Sequence, residues 1–191
     1  MKRLLTLMLC VLPLLITTCQ EENRPILKLK ESDERLTLRN GILYFKKRVF
    51  TGFLVTYFPK GDLRSKIEYK DGRKHGFEQQ WFTNGKLALD RHYTKGKKTG
   101  VHRAWWEKGS PKFTYHFNHS GEYHGSVKEW YPSGRLYRYF NYTNGKETGR
   151  QQLWKDDGSI KANYQVVEGE RFGLIGLKKC YTVTSNSTEI R

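Results

Sequence analysis

Six glycines stand on a fixed ladder along this chain: Gly52, Gly76, Gly100, Gly125, Gly149 and Gly173, at steps of 24, 24, 25, 24 and 24 residues. A second ladder follows nine residues behind, at Gly61, Gly85, Gly109, Gly134 and Gly158. Five residues after each of the first five ladder glycines comes an aromatic: Tyr57, Trp81, Trp105, Trp130 and Trp154. A period of roughly 20 to 50 residues marks a repeat architecture, in which one supersecondary unit is stacked many times. Arrays of this kind are usually scaffolds. The ladder therefore favours a binding module over an enzyme.

Each unit reads as a β-hairpin. One strand runs from the ladder glycine to an aromatic pair, as in Tyr57-Phe58, Trp81-Phe82, Trp105-Trp106 and Trp130-Tyr131. A turn follows, written Thr83-Asn84-Gly85 or Pro132-Ser133-Gly134, where glycine tolerates the positive φ that hairpin turns demand. The structural glycines of these turns are Gly61, Gly85, Gly109, Gly134 and Gly158. The return strand alternates apolar and polar residues, as in Leu87, Leu89 and Tyr93 or Leu136, Phe140 and Tyr142, which sets its apolar residues on one face. A second turn, such as Asp71-Gly72 or Asn144-Gly145, closes the unit. The third unit holds one extra residue near Asn118-His119-Ser120-Gly121, which predicts a bulge or longer turn there.

The expected fold is all-β: an elongated, single-layer antiparallel meander of about five stacked hairpins. Five units span 52–75, 76–99, 100–124, 125–148 and 149–172, with a partial sixth from Gly173. Gly41 to Phe50 reads as an opening hairpin or half-repeat, so the repeat domain covers 41–181. Residues 19–40, polar and mixed in charge, read as a tether. The Ser/Thr-rich end, 182–191, reads as a disordered tail. Aliphatics are few and aromatics reach 14% of the chain, which suits a thin sheet whose rings shield the backbone and excludes a disordered polar chain.

Residues 1–18 have the parts of an export signal. Lys2 and Arg3 supply the positive region, Leu4 to Ile16 an apolar core of 13 residues, and Thr17-Thr18 a small-residue end. Thirteen helical residues reach only about 20 Å, short of a bilayer's hydrocarbon layer. Leu15-Ile16-Thr17-Thr18-Cys19 resembles a bacterial lipobox, which implies cleavage before Cys19 and lipidation of that cysteine. Thr18 departs from the usual Gly, Ala or Ser before the cysteine. With Cys10 in the discarded leader and Cys19 acylated, only Cys180 remains, so the mature chain has no partner for an internal disulfide.

The repeating units resemble MORN repeats, and more narrowly the bacterial variant of YwqK-type antitoxin proteins. Tyr69-Lys-Asp-Gly-Arg-Lys-His-Gly76 and Tyr142-Thr-Asn-Gly-Lys-Glu-Thr-Gly149 carry the resemblance most clearly, and it covers about residues 41–177. It implies a twisted antiparallel sheet with no catalytic residues and no cofactor. MORN arrays have been linked to membrane association, protein scaffolding and dimerisation, so a homodimer is among the implied partners.

Net charge is +16, spread along the chain, and a dispersed cationic surface favours polyanions in general. Nucleic acid is not the expected partner, because the aromatics recur where the repeat places them and the leader exports the chain. His92 and His116 share a position in neighbouring units, but two strands put their backbones about 10 Å apart, too far for a zinc pair. No metal site is expected. No Ser/His/Asp set, carboxylate pair or phosphate loop stands out. The function expected is an envelope lipoprotein, in the outer membrane and facing periplasm or surface, whose sheet is a scaffold for an unidentified protein partner. Two alternatives are neutralisation of a toxin by binding and direct binding of anionic lipid. Trp105, Trp106, Trp130 and Tyr131 form the densest aromatic pairs and are the candidate interaction surface. Strict alternation predicts Trp105 and Trp130 on one face, with Trp106 and Tyr131 on the other.

Overall fold

The computed structural model describes residues 27–176, so Cys19, Cys180 and the expected leader and tail lie outside them. Ahead of the first ladder glycine come β1 (Leu27–Lys30), β2 (Leu36–Arg39), β3 (Ile42–Phe45) and β4 (Arg48–Val49). The repeats supply β5 (Gly52–Tyr57), β6 (Leu63–Lys70), β7 (Arg73–Trp81), β8 (Leu87–Thr94), β9 (Lys97–Trp105) and β10 (Pro111–Phe117). They continue with β11 (Tyr123–Trp130), β12 (Leu136–Thr143), the short β13 (Lys146–Glu147), β14 (Gly149–Trp154), β15 (Ile160–Val167) and β16 (Glu170–Leu174). From β5 onward each strand pairs with the next in one open, 13-stranded sheet, and β13 pairs with β12 beside the main path. The fold is an all-β meander.

The start of the chain departs from expectation. Part of the segment read as a tether is strand: β1 pairs in parallel with β5, from Leu27 opposite Gly52 to Lys30 opposite Val55. The sheet is thus mixed at this edge. Alternation of Leu27 and Leu29 with two lysines is the cause, since it lets Leu29 join Leu43, Phe50 and Leu54 in a small core. β2, β3 and β4 form a separate three-stranded sheet. The turn at Gly72 fastens it to the array: Leu43 N–H donates to the Gly72 carbonyl at 2.8 Å, and Gly72 N–H to the Phe50 carbonyl at 2.7 Å.

Two turn types alternate along the sheet. The second-ladder glycines Gly61, Gly85, Gly109, Gly134 and Gly158 have φ of 94, 76, 95, 87 and 88°. At Gly134 the N–H donates to the Tyr131 carbonyl while Tyr131 N–H donates to the Arg135 carbonyl, both at 2.9 Å, the pattern of a hairpin loop closed by a glycine bulge. The other turns have two central residues, both at positive φ, as in Asn144 at 47° and Gly145 at 77°. This is the type I′ geometry that matches strand twist. The extra residue of unit three lengthens its turn: Asn118 N–H donates to the Glu122 carbonyl at 2.9 Å, and the Asn118 side chain also accepts from the N–H groups of Ser120 and Glu122.

Gly52 and Gly149 open β5 and β14, but the first-ladder glycines of units two to four, Gly76, Gly100 and Gly125, are not strand starts. Ile67 pairs with Glu78 and Tyr69 with Lys74, so His75, Gly76 and Phe77 stand opposite the single residue Glu68. The same irregularity recurs between β8 and β9 and between β10 and β11. In these three units the strand begins two or three residues earlier and passes through the glycine as a bulge, with Gly125 for instance at φ 97°.

Register separates two faces. On one, the second residue after each ladder glycine forms a buried column: Leu54, Glu78, His102, Val127 and Gln151. Rings close over it. His102 lies 5.5 Å from Tyr93 and 4.6 Å from Phe117, Phe117 stacks on Tyr123 at 4.8 Å, and Tyr123 meets Tyr142 at 5.2 Å. Aromatic pairs of this kind contribute about 0.5–1.5 kcal/mol beyond their buried area. They stand in for the second layer that a single sheet lacks. We call this the ring face and the other the polar face.

His102 makes the column sensitive to acid. Its Nε2 bonds the His92 carbonyl at 2.8 Å. Burial lowers its pKa; the bond to that carbonyl opposes the shift, and the charges of Arg91 and Lys98 add to it. The folded chain therefore takes up this proton less readily than the unfolded chain. Stability should fall as pH drops below about 6.5, until the folded-state value is passed. His102→Gln, the side chain that unit five carries here, should flatten that slope. Urea melts across pH 7.5 to 5 measure it, and an unchanged slope would assign the acid sensitivity to another group.

Candidate functional site

The third and fourth units carry an open groove of about 300 Å³ on the ring face. Its walls are Trp106, Trp130, Tyr131 and Tyr137, its floor is Phe113, Tyr115 and Glu129, and Lys112 and Pro132 stand at the rim. Trp105, the remaining sequence candidate, is half-buried opposite Pro111 and does not line it.

This placement keeps Trp105 apart from Trp106, as strict alternation expects, and adds Trp130 to the groove that Trp106 and Tyr131 line. Glu129 pairs with Arg138 but Trp130 pairs with Leu136, leaving Tyr137 as an extra residue on the return strand. A bulge of this kind re-aims side chains and breaks alternation. Tyr137 thereby joins Trp106, Trp130 and Tyr131 in lining one groove. The second ring of each pair also has a structural task. Trp106 Nε1 donates to the Trp130 carbonyl at 3.2 Å, and Tyr131 Oη donates to the Trp154 carbonyl at 3.0 Å. Units one and two have Phe58 and Phe82 at this position, which cannot donate.

The floor is polar at one point. Tyr115 Oη and Arg138 Nη2 both donate to Glu129 Oε1, at 2.6 and 2.5 Å. Burial first, and then the bond to Glu129, push the Tyr115 phenol well above its usual range, so it remains a donor at any physiological pH. Among the described residues no donor reaches Glu129 Oε2. Phe113 stacks on Tyr115 at 4.3 Å, and the Lys112 ammonium lies 4.5 Å from the centre of the Trp106 ring. The groove can thus bury an apolar or aromatic group and accept one hydrogen bond from it. Lys112, Glu129 and Tyr137 were not legible as site residues. Their only sequence signal is adjacency to the aromatic step, which becomes informative once the bulge is known.

Elsewhere, His116 Nδ1 contacts the Ser126 carbonyl at 2.7 Å. Among the described residues no three His, Cys, Asp or Glu side chains are grouped to hold a metal ion, and no helix is long and apolar enough to cross a membrane.

The fold and groove define a repeat sheet of stacked hairpins, and the comparisons assign the repeat. Residues 123–146, which run from the start of β11 to the start of β13, match the MORN repeat variant. No curated protein matches the chain. Among solved structures, the crystal structure of the GtfA/B complex bound to UDP and GlcNAc is similar at 13% identity and a TM-score of 0.25. That alignment covers 68% of this chain and 23% of the other, so the chain spans under a quarter of that protein's length. A score this low bears on neither fold nor ligand.

Proposed function

We propose that this chain is an exported binding scaffold, held at a bacterial envelope membrane by lipid on Cys19, whose ring-face groove seats an apolar anchor of a partner protein. The groove carries the reading. Trp and Tyr dominate binding energy at interfaces, and here Trp106, Trp130, Tyr131 and Tyr137 leave an open depression between them. The lipobox-like run ending at Cys19 supports the anchor. Two or three acyl chains hold a protein at a membrane stably, whereas one is marginal. The narrower resemblance to YwqK-type antitoxins makes a toxin one form such a partner could take, bound by occlusion at the same groove.

Two variants test the proposal. Trp130→Ala removes a groove wall but keeps the backbone carbonyl to which Trp106 donates. It should stay folded and weaken partner binding by about 30-fold, a hot-spot loss of about 2 kcal/mol. Cys19→Ala should shift the chain from the membrane to a soluble or unprocessed form while leaving partner affinity unchanged. Full partner affinity in folded Trp130→Ala would move the binding site away from the groove. Membrane attachment of Cys19→Ala that resists high salt would remove the lipid anchor.

A further inference from the structure

The polar face opposite the groove has its own chemistry. Arg103, Thr114, Lys128, Tyr139, Gln152 and Asn163 pair in turn across β9, β10, β11, β12, β14 and β15, forming one unbroken row perpendicular to the strands. Two residues along their strands, Ser126, Asn141, Arg150 and Gln165 share this side. No carboxylate interrupts the row: Asp90 pairs with Arg103 at its near end, and Glu170 lies on the far edge strand. Arg103, Lys128 and Arg150 stand on alternate strands, about 10 Å apart. Arg103 and Arg150 are exposed and have no ion-pair partner among the described residues. Lys128 is steadied over the Tyr139 ring at 4.8 Å. The ring face differs, because there Lys74, Arg138 and Arg171 are bound to Glu78, Glu129 and Glu147.

We infer that the polar face of units three to five is a docking surface for a linear acidic polysaccharide, one bearing carboxylates, laid across the strands along this row. Cations on alternate strands, with Asp90 beside Arg103 as the one acidic cross-strand neighbour, complement a chain of fixed negative charges. Between them the amides of Asn141, Gln152, Asn163 and Gln165 and the hydroxyls of Thr114 and Ser126 offer both donors and acceptors. Sugar hydroxyls use both, whereas a phosphate backbone only accepts. A bilayer fits less well, since the row itself holds no Trp, Phe or Leu to insert among acyl chains. Single-stranded nucleic acid fits less well too, because it needs a series of stacking rings and Tyr139 is the one aromatic in the row.

The test adds a polymannuronate oligomer, a linear chain with a carboxylate on every sugar, to the full chain and follows binding by calorimetry. Arg103→Gln, Lys128→Gln and Arg150→Gln together should weaken binding by about tenfold or more. Lys60→Gln, Lys108→Gln and Lys155→Gln, which remove the same charge at exposed turns, should change it by less than about twofold. Equal losses in the two triple variants would reduce the effect to net charge and overturn the inference. So would failure of the wild type to bind polymannuronate. Tighter binding to phosphatidylglycerol vesicles or to oligothymidylate, lost in the first triple variant, would assign the face to lipid or nucleic acid instead.

Discussion

Gly52→Val is expected to cost about 3 kcal/mol or more of stability, against about 1–2 kcal/mol for Gly134→Val. Both glycines have positive φ, 148° at Gly52 and 87° at Gly134, so both substitutions strain the backbone. They differ in what a side chain would meet. A Cβ on Gly134 points into open space, but one on Gly52 would lie 2.1 Å from the Leu27 carbonyl oxygen. That oxygen is backbone and cannot swing aside. Relief requires β1 to leave β5, which withdraws Leu29 from its core with Leu43, Phe50 and Leu54. Denaturant melts should rank the two variants, and protease should cut first between β1 and β5 in Gly52→Val. Equal stability of the two would mean that β1 does not press on Gly52.

The same contrast shows what a sequence of this kind reveals. Turn chemistry is local, so Asn144-Gly145 or Ser133-Gly134 announces a hairpin without reference to the rest of the chain, and the ladder then fixes the unit. Bulges are properties of a pairing. Whether Tyr137 is an extra residue depends on what faces it in β11, and no spacing along the chain records that. Tyr137 was therefore not legible as a groove residue, although three of the four sequence candidates, Trp106, Trp130 and Tyr131, do line the groove. β1 escaped for a related reason. Four residues are too few to show a period, and their partner lies some 25 positions further on.

The basic surplus has a similar double reading. In sequence it suggests attraction to polyanions, yet many of its cations cover rings. Lys66 sits 4.1 Å from the centre of Phe53 and 5.1 Å from Phe77, Lys74 5.2 Å from Tyr93, and Lys98 5.4 Å from Phe117. A lysine stem can lie along an aromatic ring while its ammonium stays in water, adding about 0.5–1 kcal/mol at exposed sites. In a single-layer sheet these side chains do part of the work of a second layer. Arg103 and Arg150 have no such ring and form no ion pair among the described residues, although Asp90 stands opposite Arg103, and this distinguishes the polar face from a generally basic surface.

Gln151→Glu should be the most damaging single-atom exchange in the array, and the damage should depend on pH. Gln151 is fully buried and spans the irregular stretch between β12 and β14, where direct pairing is limited to Arg138 with Leu153 and Tyr139 with Gln152. Its Nε2 donates to the Asn141 and Thr148 carbonyls, both at 2.9 Å, and its Oε1 accepts from Asn141 N–H at 3.1 Å. The side chain thus supplies bonds that the bulged backbone cannot. A carboxylate would keep the acceptor but turn a negative oxygen toward two carbonyls in a fully buried site, a loss of about 3–5 kcal/mol at neutral pH. Burial and those carbonyls would raise its pKa in the folded state, so the folded chain would hold the proton more tightly than the unfolded one. The deficit should then be small below about pH 4.3, where both states are protonated and the acid O–H can donate, and should grow as pH rises toward the folded-state value. Gln151→Leu is the control. It leaves Asn141 N–H unpaired at a cost of about 1–3 kcal/mol, with no pH dependence of its own. Urea melts of both variants against wild type at pH 4 and pH 7 separate the cases. A Gln151→Glu deficit that is absent at pH 7, or the same at both pH values, would show that Gln151 does not bridge the two strands.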